Sequence, residues 1–182
     1  SEPVDIPDQE QVDRFLPPFR AQPRLDPQQP FTQAVHTVGE LFAEYRYKHC
    51  RAMERVKGKI EEIEREFRQI FGRSYGGLVE EYRLEDAEIA LVAMGSVAGT
   101  AKVVVDRKRQ EGIKVGLARV RVFRPFPAER LFQALKDKKA IAVIDRDVCF
   151  GWGTGILFLE LKAALCGLAI PMVNFIGGLA GA

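Results

Sequence analysis

Apolar positions along the chain change their spacing twice, and each change marks a boundary. In residues 1–35, Phe15, Leu16, Phe19, Leu25 and Phe31 follow no period and lie among Pro3, Pro7, Pro17, Pro18, Pro23, Pro27 and Pro30, seven of the ten prolines in the chain. Proline lacks an N–H and fixes φ, so this density predicts an extended arm over residues 1–37, free of helix and lying on a surface of its own or of a partner. From Val38 to Phe71, Met53, Val56, Ile60, Ile63, Phe67 and Ile70 recur in alternating steps of three and four. Charged residues such as Arg55, Lys59, Glu62 and Arg65 flank them, which is the pattern of a helix with one narrow apolar stripe. Gly72, Gly76 and Gly77 then stop the period, so residues 38–85 read as a long connecting helix followed by a glycine-rich turn.

From residue 86 the spacing changes again. Ile89–Met94 is an unbroken apolar run, as in a parallel strand covered on both faces. The turn at Gly95 and Ser96 and a helix over Ala98–Arg109 supply the crossover that parallel pairing needs. Strand Lys114–Val122, helix Ala128–Leu135, strand Ala140–Ile144, helix Thr154–Leu165 and strand Pro171–Ile176 continue the alternation, with Pro127 expected at the first position of its helix. Strict β–α alternation predicts an α/β domain over residues 86–182, built on a doubly wound, mostly parallel sheet with right-handed crossovers.

Composition narrows the partners. A formal charge of +2 on 182 residues gives no reason to expect nucleic acid or an acidic membrane. Three cysteines without a CxxC pair, accompanied by His36 and His49 alone, support neither a disulfide framework nor a zinc or iron–sulfur site. The longest apolar stretch, Gly153–Phe175, is interrupted by Glu160, Lys162, Pro171 and Asn174 and is no membrane span. A soluble chain in a reducing cytoplasm is expected. Its start at Ser1 instead of Met suggests a piece of a longer polypeptide.

Candidate chemistry is sparse. Gly95, Ser96, Gly99 and Thr100 lie where a strand gives way to a helix, a position where backbone N–H groups and the helix dipole can hold an anion; capping of the helix by Ser96 is the plainer reading. Asp145, Arg146 and Asp147 follow the third predicted strand and precede a second glycine cluster, Gly151 to Gly155, at the ligand edge of such a sheet. Arg119 and Arg121 are two apart in a strand and so share a face. Either that strand is an edge, or the guanidiniums meet carboxylates (Glu88, Asp145 and Asp147 being nearest by topology) or another subunit. Arg119, Arg121, Arg124, Asp145, Arg146 and Gly151 are therefore candidates for structure or interface. No Ser/His/acid grouping has support.

Blocks along the whole chain resemble the alpha subunit of 2-oxoacid:ferredoxin oxidoreductases, the pyruvate enzyme among them. They are EPVDIPDQEQVDRFLPPF and LDPQQPFTQ in the arm, YRYKHCRAMERV in the helix, FGRSYGGLVEEYRLEDAEIALVAMGSVAGTAKVVVD through the first βα unit, then VRVFRPFP and IAVIDRDVCFG. The resemblance implies that residues 86–182 are similar to the carboxyl-terminal domain of transketolases. It also implies a complete enzyme that uses thiamine diphosphate, Mg and [4Fe–4S] clusters to decarboxylate a 2-oxoacid, reduce ferredoxin and form acyl-CoA. In that family the thiamine-activating glutamate and substrate-binding arginine belong to a preceding thiamine domain, the diphosphate motif to a beta subunit and the cluster cysteines to a ferredoxin-like subunit. None has a matching position here, so this fragment is expected to bind no cofactor and to be inactive alone, serving as a non-catalytic interface domain in an oligomer. Another 2-oxoacid such as oxalate stays open, as does an independent small-ligand or nucleotide-binding module.

Overall fold

The computed structural model describes residues 4–20, 24–32 and 36–179, and the chain divides into two compact units, Ser1–Ser74 and Tyr75–Ala182. Pro3, Pro23 and the end of the closing IGGLAGA lie outside the described residues.

In the first unit the arm is not free of helix. Helix α1, Gln9–Phe15, forms because Asp8 accepts the Gln11 N–H at 2.8 Å as its N-cap, and because the prolines bound the helix and do not interrupt it. Pro7 precedes the cap and Pro17 follows the C-cap Leu16. Helix α2, Glu40–Phe71, runs 32 residues unbroken through Gly58 and ends at Gly72, whose φ of 69° turns the chain out of the helix. Phe15 packs edge-on between Phe67 and Phe71, with ring centroids 5.5 and 5.4 Å away, so α1 covers the last turns of the apolar stripe.

The second unit is one five-stranded sheet, ordered β1-β3-β2-β4-β5: β1 Val79–Tyr82, β2 Ile89–Met94, β3 Val115–Val120, β4 Ala140–Asp145 and β5 Met172–Ile176. Strands β2 to β5 are parallel, and β1 pairs antiparallel to β3 from Val79↔Val120 to Tyr82↔Leu117. Helices α3 (Val97–Gln110), α4 (Ala128–Leu135) and α5 (Ile156–Ala164) connect them. This is the doubly wound, mostly parallel α/β fold that the alternation predicts. The sheet begins earlier than expected, since Val79–Tyr82, assigned to the turn before residue 86, is a strand. Pro127 is the N-cap of α4 and not its first helical residue.

The two faces carry different helices. Ala98, Ala101 and Val105 of α3 pack on Ala93, Val115 and Leu117, with Tyr82, Leu91 and Ile144 around them. Side chains of the opposite parity, Ala90, Val92, Ile141 and Val143, are buried on the other face with Leu131 and Leu135 of α4 and Leu157 and Leu161 of α5. β2 is therefore covered on both sides, which is why its sequence shows no alternation.

Because Phe15 is half-buried, Phe15→Ala should loosen α1 from α2 by on the order of 1–3 kcal/mol. Hydrogen exchange of the Val12–Leu16 amides measures this, and unchanged exchange would contradict the α1–α2 contact.

Candidate functional site

In this topology the chain leaves β2 toward α3 on one face and leaves β4 toward α5 on the other, so the strand order reverses at their carboxyl ends. That is where open α/β sheets form crevices. A cleft of about 370 Å³ lies there, lined by Ser96, Val97, Thr100, Ile144, Arg146, Gly177 and Gly178. Three of the predicted residues, Ser96, Thr100 and Arg146, are thus brought together.

Local chemistry differs from the helix-capping expectation. Ser96 has helical backbone angles and its side chain caps no N–H of α3. Its Oγ instead accepts from Arg146 Nη1 at 3.0 Å, and Arg146 Nη2 donates to the Gly178 carbonyl at 3.3 Å. Gly95 has φ 70°, which lets the strand turn abruptly into α3, while the Gly99 N–H donates to the Ser96 carbonyl at 3.0 Å. The cleft is lined by donors, but its guanidinium already joins three strand ends: β2 through Ser96, its own β4, and β5 through Gly178.

Asp145 is the buried polar residue of this edge, 1% exposed. Its carboxylate accepts from the N–H groups of Leu157 at 2.9 Å and Phe158 at 3.2 Å, and so caps α5 from a neighbouring strand, since the N-cap Gly155 has no side chain to do it. Asn174 Nδ2 donates to Asp145 at 2.8 Å, and Asn174 Oδ1 accepts from Gly155 N–H at 2.8 Å. A Cβ on Gly155 would stand 2.0 Å from the Asp145 carboxyl carbon, so only glycine fits. Burial pushes the Asp145 carboxyl up from its ordinary value, opposed by these donors. The neighbouring Asp147 accepts from Ile156 N–H at 3.2 Å. Asn174, a lone polar residue in the run Met172–Ile176, was the missed partner of this cluster, and its isolation among apolar neighbours was the signal.

The strand arginines separate. Strand β3 is no edge, being flanked by β1 and β2. Arg119 meets Glu80, its register partner on β1, at 3.3 Å, and Glu80 also pairs with Lys102 of α3. Arg121 lies beyond the strand, exposed, with its guanidinium 5.3 Å from the Tyr75 ring centroid. None of the expected carboxylates serves them: Glu88 pairs with Lys139 at 2.7 Å, and Asp145 and Asp147 hold the start of α5. The missed element β1 is the reason, because Glu80 was read as part of a turn. Arg124 pairs with Glu160 of α5 and stacks its guanidinium 4.2 Å from the Phe123 ring centroid. Gly151 lies in the exposed loop between β4 and α5, with φ 86°. At the far side of the sheet, hydrogen bonding to Arg109 holds the Asp86 carboxyl below its ordinary value.

These residues do not fit thiamine diphosphate with its magnesium. A diphosphate-bound Mg²⁺ needs several carboxylate or carbonyl oxygens free to coordinate, whereas Asp145 is buried with both oxygens bonded, which leaves Asp147 as a single carboxylate at this edge. Among the described residues there is also no group of three metal-ligating side chains.

The fold and this edge define a doubly wound α/β domain whose carboxyl edge is bridged by its own side chains. The family described as pyruvate:ferredoxin oxidoreductase core domain II matches residues 87–182, and the chain belongs to that family. It is 49% identical over 180 residues to the pyruvate synthase subunit PorA of Methanothermobacter thermautotrophicus, an alignment spanning 99% of this chain and 46% of that one. It is 41% identical over 189 residues to the alpha subunit of NADH-dependent phenylglyoxylate dehydrogenase of Aromatoleum evansii, spanning 98% and 45%. Among solved structures, 2-oxoglutarate:ferredoxin oxidoreductase from Magnetococcus marinus matches with a TM-score of 0.44 and 20% identity, covering 62% of this chain and 20% of that one. The chain thus spans about half the length of the curated relatives it matches.

Two stability measurements follow. By denaturant titration, Arg119→Ala should cost on the order of 1–2 kcal/mol, between exposed and buried pairs, while Arg121→Ala stays below about 1 kcal/mol; equal losses would contradict the division. Because the folded-state pKa of Asp145 is raised, its contribution is fully present below the unfolded value of 3.8 and is lost as pH rises through the folded value. Wild type should therefore lose stability relative to Asp145→Asn as pH climbs from that value, and a constant difference across the range would refute the assignment.

Proposed function

We propose that this chain is the structural and interface part of the alpha subunit of a thiamine-dependent 2-oxoacid:ferredoxin oxidoreductase whose substrate is pyruvate. The observation that carries this reading is 49% identity along 99% of the chain to a pyruvate synthase subunit. The complete enzyme joins a 2-oxoacid and coenzyme A into acyl-CoA and CO₂, passing two electrons to ferredoxin one at a time. Thiamine diphosphate with Mg supplies the decarboxylation chemistry and [4Fe–4S] clusters carry the electrons. In this reading those groups are held by the thiamine domain, the beta subunit and the ferredoxin-like subunit, which are this chain's partners, and the assembly is cytoplasmic. Residues of this chain act on none of the reacting atoms: Asp145, Asn174 and Gly155 fix α5, and Arg146 ties together three strand ends. A relative named for phenylglyoxylate at 41% identity makes the substrate the finer part of the proposal. The cleft beside Ser96 and Arg146 is what favours the alternative, an independent small-ligand or nucleotide-binding module.

A chimera tests both readings. Residues 1–182 replace the aligned part of the M. thermautotrophicus subunit, and ferredoxin reduction is measured with pyruvate, phenylglyoxylate and 2-ketoisovalerate. We expect kcat/KM for pyruvate within about tenfold of the parent. Ser96→Ala and Arg146→Ala should lower kcat by less than about tenfold, against the roughly 10²–10³ lost with a transition-state donor. An assembled chimera that reduces no ferredoxin with pyruvate overturns the function, and the substrate is read on the complete alpha subunit with its own thiamine domain, where a preference for another oxoacid overturns it.

A further inference from the structure

The loop between β4 and α5 carries a feature that neither the core nor the cleft uses. Phe150 is 94% exposed and Trp152, the one tryptophan of the chain, is 74% exposed. Adjacent bare aromatic rings on this scale mark contact sites. The loop that presents them is built. The Cys149 N–H donates to the Thr154 carbonyl at 2.8 Å, and the Trp152 N–H donates to the Cys149 carbonyl at 3.0 Å, closing a tight turn. Gly151 and Gly153, at φ 86° and 65°, take the left-handed angles that this turn requires. Beneath it, Asp147 accepts from Ile156 N–H, and Gly155 sits against the buried Asp145. The rings are thus held out by a fixed base, so that docking them costs little ordering entropy. The neighbouring charges balance: Arg124 is paired with Glu160, and Arg146 stands beside Asp147 in sequence, so the rings and not a net charge set what the loop offers.

We propose that this loop is a docking plug whose occupant is the remainder of its own polypeptide, a domain outside residues 1–182 that offers an apolar pocket. The inference rests on reading the chain as part of a longer alpha subunit. The two rings by themselves favour a tethered occupant over a free one. Two aromatic side chains bury about 150–250 Å² each, so the plug supplies roughly 300–500 Å² on its side. A separate subunit or a second copy needs about 800 Å² per partner for a stable complex. A covalently tethered domain holds with less, because the tether supplies the effective concentration. The alignments leave room for such a domain, since this chain covers 46% of its pyruvate synthase relative.

Hydroxyl-radical footprinting with mass spectrometry tests the proposal on the complete subunit as cells make it, first alone and then with its other subunits. The unprotected reference is the free tryptic peptide 147–162. In the subunit alone, Phe150 and Trp152 should be oxidised at least about tenfold more slowly than in the peptide, as in the dry centre of an interface, at low and high concentration alike. Reactivity within about twofold of the peptide overturns the proposal. Protection that appears only when other subunits are added, or only at high concentration, assigns the loop to another subunit or to a second copy and overturns it equally. Ferredoxin reduction by the same preparation reports separately on the proposed function. An active enzyme with bare rings removes the docking alone, and protected rings in an enzyme inactive on pyruvate remove the substrate reading alone.

Discussion

Strand β2 must be buried on both faces and paired on both edges, and the rest of the α/β unit satisfies that demand. Its register to β3 runs from Ile89↔Val115 and its register to β4 from Ile89↔Ala140, so both neighbours start level with it. Parallel neighbours on opposite sides require crossovers in opposite directions. Right-handed connections then place α3 on one face and α4 on the other. Ala90, Val92 and Ala93, all 0% exposed, fit beneath helices on both sides because they are small. Larger groups there would hold one helix layer off the sheet, which is why the run EIALVAM combines β-branched residues with alanine.

The same reversal fixes what the carboxyl edge can become. Chain ends that diverge to opposite faces leave a crevice, and the crevice must be either a ligand site or closed. Arg146 closes much of it by bonding Ser96 after β2 and Gly178 after β5. On the other face, Asp145 and Asn174 close the gap between β4, β5 and the start of α5. Buried polar clusters of this kind stand only when every member has its partners. Asp145 has two amides and one carboxamide, which offset part of its cost of burial, and what is left pushes its carboxyl up. A residue that looks catalytic by position is here a cap.

Periodicity made β2 and α4 legible to the residue, because both carry strong local signals: an uninterrupted apolar run, and a proline just ahead of an amphipathic turn. Elements whose reason is tertiary were not legible. Strand β1 has two consecutive glutamates, Glu80 and Glu81, in four residues, which reads as a turn until Arg119, Lys102 and Arg130 are placed around it. Helix α1 is seven residues between prolines and survives through its Asp8 cap and the Phe15 contact with α2, the second of which spacing cannot reveal. At the carboxyl edge, topology brings Ser96 and Arg146 together, two residues that the sequence offered only as separate candidates. Side-chain choice did not follow from sequence, because a serine before a helix and a serine facing an arginine look alike.

The two outer strands show what the rest of the fold leaves to each. β1 is guarded: Glu80 binds Lys102 and Arg119 on the α3 face, and Glu81 binds Arg130 of α4 on the other, so charged side chains of both signs flank that edge. Such side chains resist the addition of another strand. β5 carries no charge, and Val173 and Phe175 stay 52% and 59% exposed. By register these two lie on the side of Ala142 and Ile144, the α3 side, whereas Asn174 between them turns to the α5 side and is held by Asp145. Half of β5 is thus anchored by a hydrogen-bonded cluster while its other half has no cover among the described residues. The sheet is complete at the strand where the chain enters it and open at the strand where the chain leaves it.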